Sequence, residues 1–204
     1  MARRADEPLP LVIAVQPGRE VIRQGEPYPD AWVVRTGALL MEVVDHDGHA
    51  LALDVLGPGD LVGGPPDAIA DASVRALVTS GLLQASGSAL RTGLDRRAHR
   101  VTGLASSLAW DRLAVRVADR LDDLAARFGR PAPRGRQVAL PLTQEHLAAL
   151  TGSTRESVNR ALADLAAAGR LERRAGRYVV RSGLTGLASA YPSDWRRARE
   201  HELQ

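Results

Sequence analysis

Residues 143 to 165 hold two short amphipathic stretches joined by four residues, a pattern that few backbone arrangements satisfy. Thr143 stands where an N-cap belongs, Gln144 and Glu145 occupy the first turn, and Leu147 and Leu150 form one apolar face. Thr151-Gly152-Ser153-Thr154 follows, and its glycine permits a left-handed backbone between helices that cross steeply. From Arg155 onward, Val158, Ala161, Leu162 and Leu165 fall on one helical stripe. That stripe faces a core, so Glu156, Asn159 and Arg160 face outward and Arg155 sits at the exposed N-terminal end. The spacing predicts a helix-turn-helix. A β-like run over 137–141 precedes it, and a hairpin-like pair, 170–173 and 178–180 about Ala175-Gly176, follows it. That order is a winged helix.

Such a helix lays its first turns against base edges in the major groove of double-stranded DNA. Arginine bonds guanine O6 and N7 bidentately, and a carboxylate accepts from cytosine N4. Arg155 and Arg160 are therefore expected to read guanines and Glu156 a cytosine. Thr143, Thr154, Ser157 and Asn159 are expected at phosphates, where contacts fix register, with Arg173, Arg174 and Arg177 adding backbone contacts from the wing. Competing structural roles stay open. Glu156 can close a capping box with Ser153 unless Thr154 is the N-cap. Arg160 can pair with Glu156 one turn earlier, and the wing arginines can be plain solvated charges.

The rest of the chain divides by period. Short β-like runs over 11–15, 31–35, 39–44, 50–55 and 76–83 are separated by glycines, with Asp47-Gly48 as a hairpin signal. They predict a small barrel or jelly roll. From Ala89 the period becomes helical. Leu94, Val101 and Leu108 are seven apart with Leu104 between them, which predicts a dimerisation helix and hence a homodimer. The same stripe could instead pack on the barrel; Arg96, Arg97 and Arg100 are expected to be solvated either way. Helical signal resumes from Leu113 to Phe128 after a hinge near 110–112, then stops at Gly129-Arg130-Pro131-Ala132-Pro133. The expected fold is α+β: a β jelly-roll barrel over 1–88, a dimerisation helix and hinge over 89–111, a winged-helix DNA-binding domain over 112–182, and a tail over 183–204. Ser193 could cap one last helix in that tail.

Charge supports this division. Residues 1–90 carry 6 arginines against 12 acidic groups, a net −6, and residues 91–204 carry 21 against 12, a net +9. A basic C-terminal half fits contact with phosphates. The absence of cysteine excludes disulfides, thiolate zinc sites and cysteine-ligated iron-sulfur clusters. No apolar run or leader points to a membrane or to secretion, so a cytoplasmic protein is expected. His46 and His49 flank the Asp47-Gly48 turn and could ligate a metal, but a metal-dependent jelly-roll enzyme needs clustered interior histidines. No cofactor, metal or enzymatic activity is expected.

The stretch from Leu142-Thr143-Gln144-Glu145 through Thr154-Arg155-Glu156-Ser157-Val158-Asn159-Arg160-Ala161-Leu162 resembles the helix-turn-helix of the CRP/FNR regulators. Gly25-Glu26, Val34-Arg35-Thr36-Gly37 and Gly57-Pro58-Gly59-Asp60-Leu61-Val62-Gly63 resemble corners of that family's cyclic-nucleotide-binding barrel. The resemblance implies a DNA-binding regulator, commonly an activator working with RNA polymerase. It also implies a TGTGA-like half-site read by Arg155, Glu156 and Arg160. The effector site departs from the pattern. Gly63-Gly64 stands where members that bind cyclic AMP carry Gly-Glu, and Ala70-Asp71 falls about where they carry Arg-Ser. A carboxylate facing a phosphate repels it, so regulation independent of cyclic AMP is expected, with an unidentified ligand or metal as the alternative.

Overall fold

Alternating apolar residues in the N-terminal half form strands β1 (Val12–Val15), β2 (Glu20–Ile22), β3 (Ala31–Thr36), β4 (Leu39–Val44), β5 (Ala50–Leu56), β6 (Leu61–Gly63), β7 (Ser73–Ala76) and β8 (Ser80–Gln84). The structure, a computed structural model, describes residues 12–181. The eight strands make two antiparallel sheets, ordered β1-β8-β3-β6 and β2-β7-β4-β5, which is the jelly-roll arrangement. Ile22, Val34, Leu39, Leu56, Val62 and Leu82 meet between the sheets, each burial stabilising the sandwich by about 1.5–3 kcal/mol. The run over 76–83 is not one strand. β7 ends at Ala76 and β8 begins at Ser80 in the other sheet, because the chain turns a corner between them. Ser80, buried there, donates to the Val78 carbonyl at 2.8 Å and accepts from the Ala38 amide at 3.1 Å. β2 and β6 carry too few residues to show a period in sequence.

Helix α1 (Gly87–Trp110) starts at Ser86, whose hydroxyl accepts from the Ala89 amide. Asp111 and Arg112 are extended, and α2 (Leu113–Phe128) follows, so the chain bends where the hinge was expected. Packing does not divide there. One buried cluster joins Val117 and Leu121 of α2, Leu147 of α3 (Gln144–Leu150) and Val158 of α4 (Arg155–Ala167) to Leu40 and Val55 of the barrel. β4 is apolar on both faces, Leu39 and Met41 inward and Leu40 outward, as a strand covered on both sides must be.

The wing sheet is ordered β11-β12-β10-β9, with β9 (Gly129–Ala132), β10 (Gly135–Val138), β11 (Leu171–Arg174) and β12 (Arg177–Val180). The stretch after Phe128 is therefore a strand and not merely a helix stop. β9 lies at the sheet edge, where Pro131 removes no necessary donor. β10 begins two residues before the β-like run over 137–141. Ala175 and Gly176 both have positive φ, 48° and 77°, and close the hairpin about which β11 and β12 pair. Leu11 and the tail from residue 182 onward, with the possible Ser193 cap, lie outside the described residues.

The expectation that Arg97 and Arg100 are solvated is corrected. α1 lies on β5 and β6, and at Gly93 it approaches so closely that a Cβ would sit 2.4 Å from Leu61 Cβ. One turn further, Arg97 donates through Nη2 to the carbonyls of Leu61 and Gly63 at 3.1 and 2.8 Å. Arg100 then meets Asp54 at 2.6 Å and Asp60 at 2.9 Å. From α2, Arg127 closes the ring with Asp54 at 3.0 Å and Asp60 at 2.7 Å. Burial pushes the Asp54 carboxyl up, against the pull of Arg127 and Arg100. For Arg127, burial is outweighed by Asp54, Asp123 and Asp60, so its pKa rises and the charge is held. Leu104 is buried on the same side of α1 as these groups, while Leu94, Val101 and Leu108 are half-buried. Arg96 is exposed.

Candidate nucleic-acid interface

Thr154 is the N-cap of α4: its hydroxyl accepts from the Ser157 amide at 3.3 Å and donates to Ser157 Oγ at 3.1 Å. Glu156 is therefore released from a capping box with Ser153 and sits in the exposed first turn. Val158, Ala161, Leu162 and Leu165 are buried, and Arg155, Glu156, Asn159 and Arg160 are exposed. The alternative pairing of Arg160 with Glu156 is not formed. Among the described residues neither has an ion-pair partner.

Thr143 caps α3 through a reciprocal pair, accepting from the His146 amide at 3.1 Å while His146 Nδ1 accepts from the Thr143 amide at 3.3 Å. That role needs an unprotonated Nδ1. Burial lowers the His146 pKa, as does Arg75 across the barrel contact, against the opposing pull of Glu42 and Glu145. The turn between α3 and α4 is fastened from below. Arg116 of α2 donates to the carbonyls of Thr151 and Asp111, each at 2.9 Å. Gly152 takes φ +55°, with Leu108 of α1 against it. Arg116 carries no signal in sequence, since a helical arginine in a basic half looks solvated.

The first turn of α3 touches α4. Arg155 Nη1 lies 3.2 Å from Glu145, Arg155 Nε donates to Gln144 Oε1 at 3.3 Å, and Gln144 Nε2 donates to Asn159 Oδ1. In the wing each arginine already has a partner within the chain. Arg173 lies over the Tyr178 ring at 5.9 Å, Arg174 pairs with Glu172, and Arg177 donates to the Ala139 carbonyl at 3.0 Å. All three remain exposed.

The barrel corner around Gly64 is filled by protein. A Cβ at Gly64 would lie 2.4 Å from Tyr28 Cε2, so the tyrosine ring covers this backbone, and its hydroxyl donates to Asp71 at 3.1 Å. His46 and His49 stand at the exposed β4–β5 tip, beside Asp47 and Asp45 at 3.3 and 3.1 Å, and not in the barrel interior. Asp45, Asp47 and His49 approach one another there as exposed groups. Among the described residues no helix is long and apolar enough to cross a membrane.

The Crp-like helix-turn-helix domain family matches residues 115–188, and the cyclic nucleotide-binding domain family matches residues 12–97. The CRP-like cAMP-activated global transcriptional regulator of Mycobacterium tuberculosis is 33% identical over 191 residues, covering 84% of either chain. This chain belongs to the CRP/FNR family. A second relative, the regulatory protein CysR of Synechococcus elongatus, is 30% identical over 155 residues, 74% of this chain and 75% of that one. The fold is shared with a CRP/FNR transcriptional regulator from Thermus thermophilus, at TM-score 0.78 and 24% identity, covering 89% of this chain and all of that one. FixK2 of Bradyrhizobium japonicum gives TM-score 0.78 at 20% identity, over 90% of this chain and 100% of its own. The protein is thus a CRP/FNR-type transcriptional regulator with a helix-turn-helix DNA-binding domain.

Proposed function

We propose that the protein acts as a homodimer on a two-fold-symmetric DNA site, reading a TGTGA-like half-site with Arg155, Glu156 and Arg160. The observation that carries this reading is the exposed first turns of α4, where Thr154 rather than Ser153 caps the helix and where, among the described residues, Glu156 and Arg160 have no ion-pair partner. Thr143, Thr154, Ser157 and Asn159 stand beside that face for phosphates, and Arg173, Arg174 and Arg177 reach the flanking backbone from the wing by exchanging their internal partners. We assign the role most common in the family, activation through RNA polymerase. Footprinting should show two protected half-sites about one helical turn, ~34 Å, apart; absence of a symmetric protected sequence would sink the proposal.

The surface offered to the second copy is the side of α1 that bears Leu94 and Val101, with Leu108, which also touches Gly152 of its own chain, at the end of the stripe. Leu94→Arg with Val101→Arg is expected to convert the dimer to a monomer in sedimentation equilibrium and to abolish binding to the full site. A monomeric wild type, or a dimeric variant, contradicts this assignment.

DNA binding by this protein needs no cyclic nucleotide. The Tyr28 ring occupies the Cβ position at Gly64, so a glutamate there has no room, and Asp71 accepts the Tyr28 hydroxyl where a cation would be required for a phosphate. Cyclic AMP at millimolar concentration should leave both the melting temperature and DNA affinity unchanged. A ligand-dependent rise in either would contradict it.

A further inference from the structure

We propose that Gln144, the first residue of α3, is a positioning residue for base reading: it holds Arg155 and Asn159 of α4 in one fixed relation through a single side chain. The inference rests on the reading of Arg155 as a base contact. An arginine at the first position of a helix has four free torsions and, unrestrained, sweeps a wide arc over the groove. Here the guanidinium is held at two atoms, Nε by Gln144 Oε1 and Nη1 by Glu145, while 60% of the side chain stays exposed. The opposite end of the same amide donates to Asn159 Oδ1, one turn further along α4. Gln144 can serve both because its carboxamide has an acceptor and a donor on one rigid plane. A glutamate could not donate to Asn159, and alanine would reach neither.

Two neighbours divide the work on Arg155. Glu145 supplies charge, which attracts the arginine but also repels an approaching phosphate. Gln144 supplies direction without charge, so it can keep its hold as DNA arrives. The base pair facing Arg155 should therefore depend on Gln144 even though Gln144 makes no base contact itself. Pre-ordering a reader before binding removes part of the ordering cost otherwise met on association.

The test uses the full-length protein, a DNA duplex carrying its best site, and duplexes with each base pair of a half-site changed in turn. Gln144→Ala is expected to reduce discrimination at the base pair read by Arg155 roughly three- to tenfold. Discrimination at the Arg160 pair and the salt dependence of binding should stay as in wild type. In the Arg155→Ala background, adding Gln144→Ala should change that base pair no further, since the residue acts through Arg155. An additional loss in the double variant would make Gln144 a direct DNA contact and overturn the inference, as would unchanged discrimination in the single variant. If Arg155→Ala itself leaves every base preference intact, the reading of Arg155 fails instead. The side chains involved are on the surface, so unaltered melting temperatures should accompany all three variants.

Discussion

Replacing Asp54 with alanine is expected to lower the free energy of unfolding by about 3–5 kcal/mol, the usual cost of leaving buried cations without their partner. Asp54 is only 2% exposed and meets arginines from two different helices, Arg100 of α1 and Arg127 of α2. Taking two charges out of water is unfavourable, and the ring of Asp54, Asp60, Arg100 and Arg127 offsets it with short ion pairs and added backbone bonds. Arg127 also donates to the Val55 carbonyl, and Asp60 accepts from the Gly57 amide at 2.8 Å. Removing Asp54 leaves two half-buried guanidinium groups sharing Asp60, with Asp123 reaching Arg127 alone. Asp123 is the internal control. It pairs with Arg127 at 3.3 Å from the same helix at the rim of the ring, so Asp123→Ala should cost less than about 1 kcal/mol. Urea unfolding of the two variants measures the difference, and equal losses would contradict a closed ring.

Arg160→Ala is expected to lose about 1–3 kcal/mol of discrimination at one base pair in each half-site, with little effect on stability. Arg160 is exposed and has no ion-pair partner among the described residues, so truncation removes no packing and strands no charge. Removing a wing arginine should behave differently, weakening all sequences alike and reducing the salt slope by about one. Competition binding against single-base-pair variants separates these outcomes. A uniform loss for Arg160→Ala would mean that it meets a phosphate.

The jelly roll and the winged helix were legible because each rests on local signals. Glycine-bounded β runs, the Thr143 and Thr154 caps, and the stripe from Val158 to Leu165 all act within a few residues. What sequence could not show is long-range pairing of charge. Arg97 and Arg100 look solvated because period assigns a face to a residue but does not reveal what waits on that face from earlier in the chain, the Leu61 and Gly63 carbonyls for Arg97 and Asp54 and Asp60 for Arg100. Leu104 completes the stripe with Leu94, Val101 and Leu108 in sequence, and period alone does not show that it is buried within the chain while the other three are half-buried. Continuity of the core from Leu40 to Leu147 was likewise hidden, since a strand apolar on both faces does not say what covers its second face. In sequence Gln144 is only a first-turn residue, and its bridge to Arg155 and Asn159 depends on the crossing of α3 on α4.

The most direct test of the account is selection of binding sites from random-sequence DNA by the wild-type protein and by Arg160→Ala. The wild type should enrich a two-fold-symmetric sequence with a G·C-anchored, TGTGA-like half-site, and the variant should enrich the same symmetric sequence with preference lost at one pair per half. Enrichment of no symmetric sequence, or an identical sequence from both proteins, would contradict the assignment of α4 as the base-reading element.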